Sequence, residues 1–318
     1  MALPAAKPVV VAPQRRMTLT AIQSSRKVVA DKILMSGTPG VGKSTFAADA
    51  PRPIFIAAEE GLSQINAEAF PEPQSFAEIL EAVRTLTDET HDFKTLVLDS
   101  IDWIEPLIWA DLCRANKWEG IETPPYGRGY TATTDEWRKL IAMLDRLRAA
   151  KGMEIILLAH VTLKMFSNPS GADFSRMEIK LHRGASALLQ EWSMVHLFAC
   201  HEEFVTKEKG AAKAKATSTG RRIMHTQRTA TWDAKNRYGL PPVLPLSYEA
   251  YADARAAGQV ADPDALRAEA ESLRDELAPA PETLAKINAS IESATGNSAT
   301  LAKIVNRLRS LVAEKGQD

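Results

Sequence analysis

Cysteine is almost absent: Cys113 and Cys200 are the two in 318 residues. Two thiols make no disulfide framework, which excludes small cross-linked secreted scaffolds and fits a reducing compartment. Cys200 and His201 are neighbours, but no second Cys/His pair stands at metal-ligand spacing, so a zinc centre is set aside. Long apolar runs are missing too, since no stretch approaches the roughly 18 apolar residues that a membrane-spanning helix needs. Met1 to Arg16, with alanines, prolines and a short valine run, reads as a loose tail rather than a signal peptide. The expectation is a soluble, cytoplasmic protein with no membrane partner. An excess of one charge is the third absence. With 39 Lys and Arg against 40 Asp and Glu, the net charge is −1, so nucleic acid would have to be met by a local patch rather than a global basic field.

What is present is an ordinary globular composition, 45% hydrophobic and 25% charged. The length allows one sizeable core and an accessory segment, because single cores stop growing near roughly 250–300 residues. Apolar runs at Lys32–Met35, Pro53–Ala57, Thr95–Leu98, Glu154–Ala159 and Met194–Ala199 have the length of buried strands. Helical periodicity lies between several of them, clearest over Asp135–Ala150, where Trp137, Leu140, Ile141, Leu144 and Leu147 recur at three- and four-residue steps. Alternating strands and helices predict an α/β fold with a mostly parallel central sheet. The organisation expected is a flexible tail over 1–18, a core over 19–251 with a basic hairpin at 204–232, and a small helical segment over 252–318. In that last segment Asp262–Leu277, Glu282–Ala294 and Thr300–Glu314 read as amphipathic helices.

Gly37-Thr38-Pro39-Gly40-Val41-Gly42-Lys43-Ser44 fits G-x-x-x-x-G-K-[ST]. It follows an apolar strand and precedes a helical stretch, which is the context a phosphate-binding loop requires. Glycines let successive backbone N–H groups, through Thr45, turn toward phosphate oxygens. Lys43 is expected to reach the β- and γ-phosphates of ATP and the Ser44 hydroxyl to bind Mg2+. The strand Thr95-Leu-Val-Leu-Asp99 ends in a carboxylate at the edge where ligands bind in parallel sheets, so Asp99 is the second expected magnesium residue. Glu59 and Glu60 follow the strand Ile54–Ala58 beside the loop and are candidates to activate the attacking water. His160 ends another buried strand, Ile155–Ala159, at the same edge.

These parts, in this order, resemble the RecA-like P-loop ATPases, and among them the phage-encoded RecA-related ATPases of single-strand annealing recombination. The resemblance spans about residues 28 to 245. It implies that Glu59 is the catalytic carboxylate, with Glu60 its less favoured neighbour, and that Asp99 is the magnesium-shell acid. His160 falls where RecA has a γ-phosphate-sensing glutamine, a departure that introduces a titratable group. Asp233-Ala-Lys235-Asn-Arg237-Tyr-Gly resembles the Lys-Asn-Arg-Phe-Gly segment of RadA-type ATPases. That likeness implies that Lys235 and Arg237 reach a neighbour's triphosphate, making the active form a homo-oligomeric ring or filament; a basic surface turn is the other reading.

The resemblance also implies two loops for single-stranded DNA. The first contains Pro124-Pro-Tyr126-Gly-Arg128-Gly-Tyr130, aromatics to stack bases and an arginine to meet phosphate. The second, expected as a long mobile basic segment, is Val161–Arg183 with Lys164, Phe166, Arg176, Lys180 and Arg183. Each can equally be a turn or solvated loop. The hairpin adds Lys207, Lys209, Lys213, Lys215, Arg221, Arg222 and Arg228 against Glu208 alone before Asp233, a patch suited to sequence-independent phosphate attraction or to a lysine-rich tip. The leading expectation is an ATP-dependent recombination protein, in a bacterial host's cytoplasm if phage-encoded, with a single-strand-binding protein as a further partner. A helicase-like motor on the same core, without the extra N-terminal domain that replicative helicases use, is the alternative. So is a nucleotide-gated DNA- or partner-binding module with little turnover. A small-molecule kinase is disfavoured because no Arg-rich lid is visible.

Overall fold

In β1 (Lys32–Gly37), Ile33 and Met35 face one side of the sheet and Leu34 the other, and all three are fully buried. A strand apolar on both faces needs a layer on each side, and the chain supplies two. The structure, a computed structural model, describes residues 30–167, 171–206, 215–259, 263–278 and 280–294, and beyond these 300, 301, 304, 305, 307, 308, 311 and 312. The tail expected over 1–18 lies outside the described residues, as do Lys207, Lys209 and Lys213 of the basic hairpin.

After β1 come α1 (Lys43–Ala48), β2 (Pro53–Ala57), β3 (Glu68–Ala69), α2 (Phe76–Asp88), β4 (Thr95–Asp99), α3 (Ile101–Asn116) and α4 (Arg128–Lys151). Then follow β5 (Glu154–Phe166), β6 (Phe174–Ile179), α5 (Arg183–Trp192), β7 (Val195–Thr206), β8 (Lys215–His225), β9 (Lys235–Asn236) and β10 (Val243–Pro245). After the sheet come α6 (Tyr248–Gln259), α7 (Pro263–Leu277) and α8 (Pro281–Ser293), and the described residues from 300 to 312 are helical as well. Strand order is β10-β8-β7-β1-β5-β4-β2-β3, parallel from β7 to β3. β8 turns back antiparallel on β7, β10 on β8, β6 on β5, and β9 on β7. The fold is α/β with a mostly parallel central sheet. β1 lies between β5 and β7, so connections depart on both sides of it and a crevice opens beyond its C-terminal end.

One layer packs Ile79, Val83, Ile104, Ile108, Trp137 and Leu140 of α2–α4 against Leu34, Ile56, Leu98 and Leu157. The other packs Phe46 of α1 and Tyr251 of α6 against Ile33, Met35, Phe55 and Leu158. Each such aliphatic side chain contributes about 1.5–3 kcal/mol by leaving water. Ser75 begins α2 by accepting from the Glu78 N–H at 3.4 Å, while Glu78 accepts from the Gln74 N–H at 2.8 Å. This reciprocal cap fixes where the helix starts.

Three expectations change in the structure. The glycine-rich stretch at 124–130 is a 3-10 turn, Pro125–Gly127, running into the first turn of α4. There Gly129 lies so close to Ile121 that a Cβ would sit 1.9 Å from the Ile121 carbonyl oxygen, so the connection from α3 is packed down rather than free. Val161–Arg183 is not a long loop either. β5 continues to Phe166 and pairs with β6 from Val161↔Ile179 to Phe166↔Phe174, forming a hairpin with residues 168–170 outside the described part. Finally, residue 252 falls inside α6, whose Tyr251 and Arg255 are anchored to the sheet at Asp31. The remaining helices have a core of their own around Leu266, Ala270, Ile291, Leu301 and Val305. No helix among the described residues is long and apolar enough to cross a membrane.

Candidate active site

Gly37 ends β1 in register with His160 on β5 and Ala199 on β7. A Cβ on Gly37 would lie 2.5 Å from the Ala199 carbonyl oxygen, so glycine is what lets these strand ends converge beneath the loop. Through Thr38, Pro39, Gly40 and Val41 the chain turns over the strand ends, with Val41 buried in the core and Pro39 and Gly40 lining the cleft. Gly42 then takes φ +107°, in the left-handed region, and α1 begins at Lys43. The Lys43 ammonium donates to the Gly37 and Thr38 carbonyls at 3.3 and 3.1 Å. Burial pushes its pKa down, opposed by the carboxylates of Asp99 and Glu59.

Asp99 closes β4, and its Oδ2 accepts from the Ser44 hydroxyl at 2.6 Å. Its Oδ1 is buried and accepts no hydrogen bond among the described residues. Burial raises the pKa of this carboxyl despite the Ser44 bond and the Lys43 charge. A carboxylate oxygen withdrawn from water and left unbonded is costly, and a hard cation favours an oxygen of that kind. Ser44 and Asp99 therefore fit magnesium. Among the described residues no group of three or more His, Cys, Asp or Glu could hold a metal ion.

The loop borders a cleft of about 790 Å³. Glu59 enters it from the end of β2, held close to β4 by the Ala58 N–H donating to the Asp99 carbonyl at 2.7 Å. Burial raises the Glu59 pKa, the His160 charge opposing it, and Glu59 Oε2 lies 3.8 Å from His160 Nδ1. Glu60 is exposed. His160 is fixed by a residue that sequence reading missed: Asp102, in the first turn of α3, accepts from the His160 backbone N–H at 2.9 Å and meets Nδ1 at 3.1 Å. Burial alone would raise the Asp102 pKa, but the bonds from His160 hold it below the usual carboxylate range. Its signal in the sequence was slight, an acid three residues beyond Asp99 on the helix that β4 feeds. The cleft thus brings together the glycine-rich loop, the hydrogen-bonded Ser44–Asp99 pair and a carboxylate of raised pKa beside an oriented imidazole.

The sequence model of a family described as an AAA domain matches residues 30–238. The chain belongs to this family. Among curated proteins none matches it. As an AAA domain the protein is an ATP-binding P-loop ATPase, and the matched segment contains every residue of the cleft described above.

The other cations expected at the site are distributed differently in the AAA domain. Lys235 and Arg237 lie by the first residues of β7, with Lys235 opposite His196, at the sheet edge away from the phosphate loop. The Lys235 ammonium donates to the carbonyls of Gln190, Glu191 and Ser193 at 2.9, 2.8 and 2.6 Å. With all three of its donors used, it ties off the end of α5 within its own subunit. Arg237 is exposed and has no hydrogen-bond or ion-pair partner among the described residues.

Of the residues expected to meet DNA, Arg176 is corrected. It is buried, ion-paired with Asp233 and donating to the Ala230 carbonyl at 3.1 Å, because β6 packs along the 230–233 segment. Tyr130 stacks on His182 with centroids 4.2 Å apart and donates to Glu122 at 2.7 Å. Tyr126 is 95% exposed and Arg128 is exposed beside it. Lys164 pairs with Glu178 at 3.5 Å on the hairpin, Phe166 packs on Phe174, and Arg183 opens α5. Lys180 lines both the nucleotide cleft and a neighbouring cavity of about 430 Å³ walled by Trp103, Trp109, Tyr130 and His182.

Proposed function

We propose that this protein is a magnesium-dependent, RecA-like ATPase that binds single-stranded DNA and promotes annealing or strand pairing as a homo-oligomer. The observation that carries this reading is the course of β5. Its buried half ends at His160 in the nucleotide cleft, and the same strand continues without a break into the hairpin that carries Lys164 and Phe166. A change at the cleft is thereby joined to a basic, aromatic surface by one hydrogen-bonded ladder, as coupling of nucleotide state to polymer affinity requires. The cavity walled by Trp103, Trp109 and Tyr130, with Lys164 and Lys180 at it, combines stacking faces and cations suited to a single strand.

In hydrolysis Lys43 holds the terminal phosphates, and Ser44 and Asp99 hold the cation. Magnesium, when bound there, neutralises charge developing on the transferred phosphoryl group. Glu59 takes the proton of the attacking water, its raised pKa bringing it nearer the working range of a general base. His160, locked by Asp102, registers the γ-phosphate at the head of the hairpin. Arg237 is the cation that remains for a neighbouring subunit's site, since Lys235 is engaged within its own.

The reading is tested by ATP hydrolysis with and without a single-stranded oligonucleotide, alongside Lys43→Ala. The expected result is turnover stimulated by the oligonucleotide and abolished in the variant. Turnover indifferent to DNA would retain the ATPase and remove the recombination role.

A further inference from the structure

Arg222 stands over the phosphate loop, and nothing in the scheme above uses it. Its backbone is fixed on β8, opposite His201 of β7, and its carbonyl accepts from the Leu246 N–H at 3.0 Å. The side chain crosses from there to the loop. A Cβ built on Gly42 would meet Arg222 Nη1 at 2.6 Å and Cζ at 3.5 Å, so the guanidinium lies directly against the Gly42 backbone. It lines the same cleft as Lys43, Ser44 and Thr45. Among the described residues the Arg222 guanidinium has no hydrogen-bond or ion-pair partner.

Its neighbour is the control that the sequence itself provides. Arg221 lies in the stretch where the β7–β8 register shifts between His201 and Glu203, and it is neutralised by Glu202, its Nε donating to Oε2 at 2.7 Å. The two consecutive arginines therefore differ in kind, one paired on the surface and one unpaired at the nucleotide cleft. An exposed cation next to the buried Lys43, with no anion supplied by the protein, is placed for an anion that arrives from solution. A guanidinium offers a fork of donors matched to phosphate oxygens.

We infer that Arg222 is a phosphate-binding residue acting in cis, its guanidinium engaging the phosphate chain of the nucleotide beside Gly42. The inference rests on the nucleotide-site reading of the cleft. Gly42 belongs to the part of the loop whose N–H groups cradle the α- and β-phosphates, and these are common to ATP and ADP. Arg222 therefore strengthens binding of both nucleotides, whereas a cation directed at the γ-phosphate from another subunit changes turnover.

The test is equilibrium titration of a fluorescent ADP and of a non-hydrolysable ATP analogue with the wild type, Arg222→Ala, Arg222→Lys and Arg221→Ala. Thermal melting of each variant checks that it is folded. Arg222→Ala is expected to weaken both nucleotides about 10- to 100-fold, the range for a charge-assisted hydrogen bond. Arg222→Lys should recover part of that loss, and Arg221→Ala should bind like the wild type. Unchanged affinity in Arg222→Ala overturns the inference, and so does a loss confined to the triphosphate analogue or an equal loss in Arg221→Ala. A wild type that binds neither nucleotide refutes the cleft as a nucleotide site. Tight wild-type binding with Arg222→Ala unaffected refutes the arginine alone.

Discussion

The two ends of the parallel strands are built on opposite electrostatic plans. At the N-terminal ends the charges of Asp31, Arg255 and Lys235 are enclosed by partners, and exposed Arg237 stands apart from them. Asp31, just ahead of β1, accepts from the hydroxyls of Tyr238 and Tyr251 at 2.7 Å each and pairs with Arg255 at 3.0 Å. Arg255 also lies 3.4 Å over the Tyr238 ring, and Lys235 fills its three donors with carbonyls. At the C-terminal ends, where the phosphate loop lies, the groups are unfinished: Asp99 Oδ1 is buried without a bond and Arg222 has no anion among the described residues. A set of charges satisfied within the fold serves as a foundation. An edge that leaves desolvated polar atoms open keeps free energy available for whatever completes it.

That contrast is broken most severely at Glu59. Glu59→Gln is expected to lower kcat about 10²- to 10⁴-fold, the usual worth of a positioned general base, while nucleotide affinity and unfolding free energy stay near wild type. Steady-state hydrolysis and a binding titration check this together, and full turnover in the variant would reassign the base. Asp31→Ala tests the closed edge. Removing one partner of a buried, multiply bonded ion pair costs about 3–5 kcal/mol, so urea unfolding should show a loss of that order, with hydrolysis per folded molecule preserved. Loss of activity without loss of stability would mean the two edges are not separable.

A smaller, pH-dependent effect sharpens the comparison. Glu154 begins β5 among the same groups, bonded to the Tyr248 hydroxyl at 3.0 Å. Burial, reinforced by Asp31, pushes its pKa up from 4.5 to about 7. The folded state therefore holds this proton more tightly than the unfolded chain does. Its contribution to stability is full below pH 4.5 and declines as pH rises toward about 7, by roughly 1.4 kcal/mol per unit at most. Glu154→Gln keeps an acceptor for Tyr248 without the charge. It is expected to raise unfolding free energy at pH 8 by on the order of 1–3 kcal/mol and to leave it little changed at pH 4, as denaturation at the two pH values would show.

What the sequence disclosed follows the same division. Apolar runs declare buried strands whatever their neighbours do, and β1, β2, β4, β5 and β7 begin within a residue of where those runs begin. The phosphate loop was legible because its function depends on local backbone shape. Residues whose role is set by a distant acceptor were not. Arg176 meets Asp233, 57 positions away, and Lys235 meets carbonyls that any residue type presents. The β5–β6 hairpin was hidden for a related reason. Leu163 and Met165 are 60% and 69% exposed, so their alternation with Thr162 and Lys164 marks a ladder with no buried face behind it. Arg222 was grouped with Arg221 by charge, though one lies against Gly42 of the loop and the other is paired with Glu202.

The unbroken course of β5 has a mechanical consequence. From His160 to Phe166 the strand runs six residues, about 20 Å at 3.3 Å per residue. Clamped between β1 and β4 and stiffened beyond them only by β6, it is a lever whose fulcrum is the cleft. Each degree of tilt at His160 carries Phe166 through about 0.35 Å, given that arm length. A tilt of about three degrees at the cleft would by the same geometry carry the far end of the hairpin through roughly 1 Å.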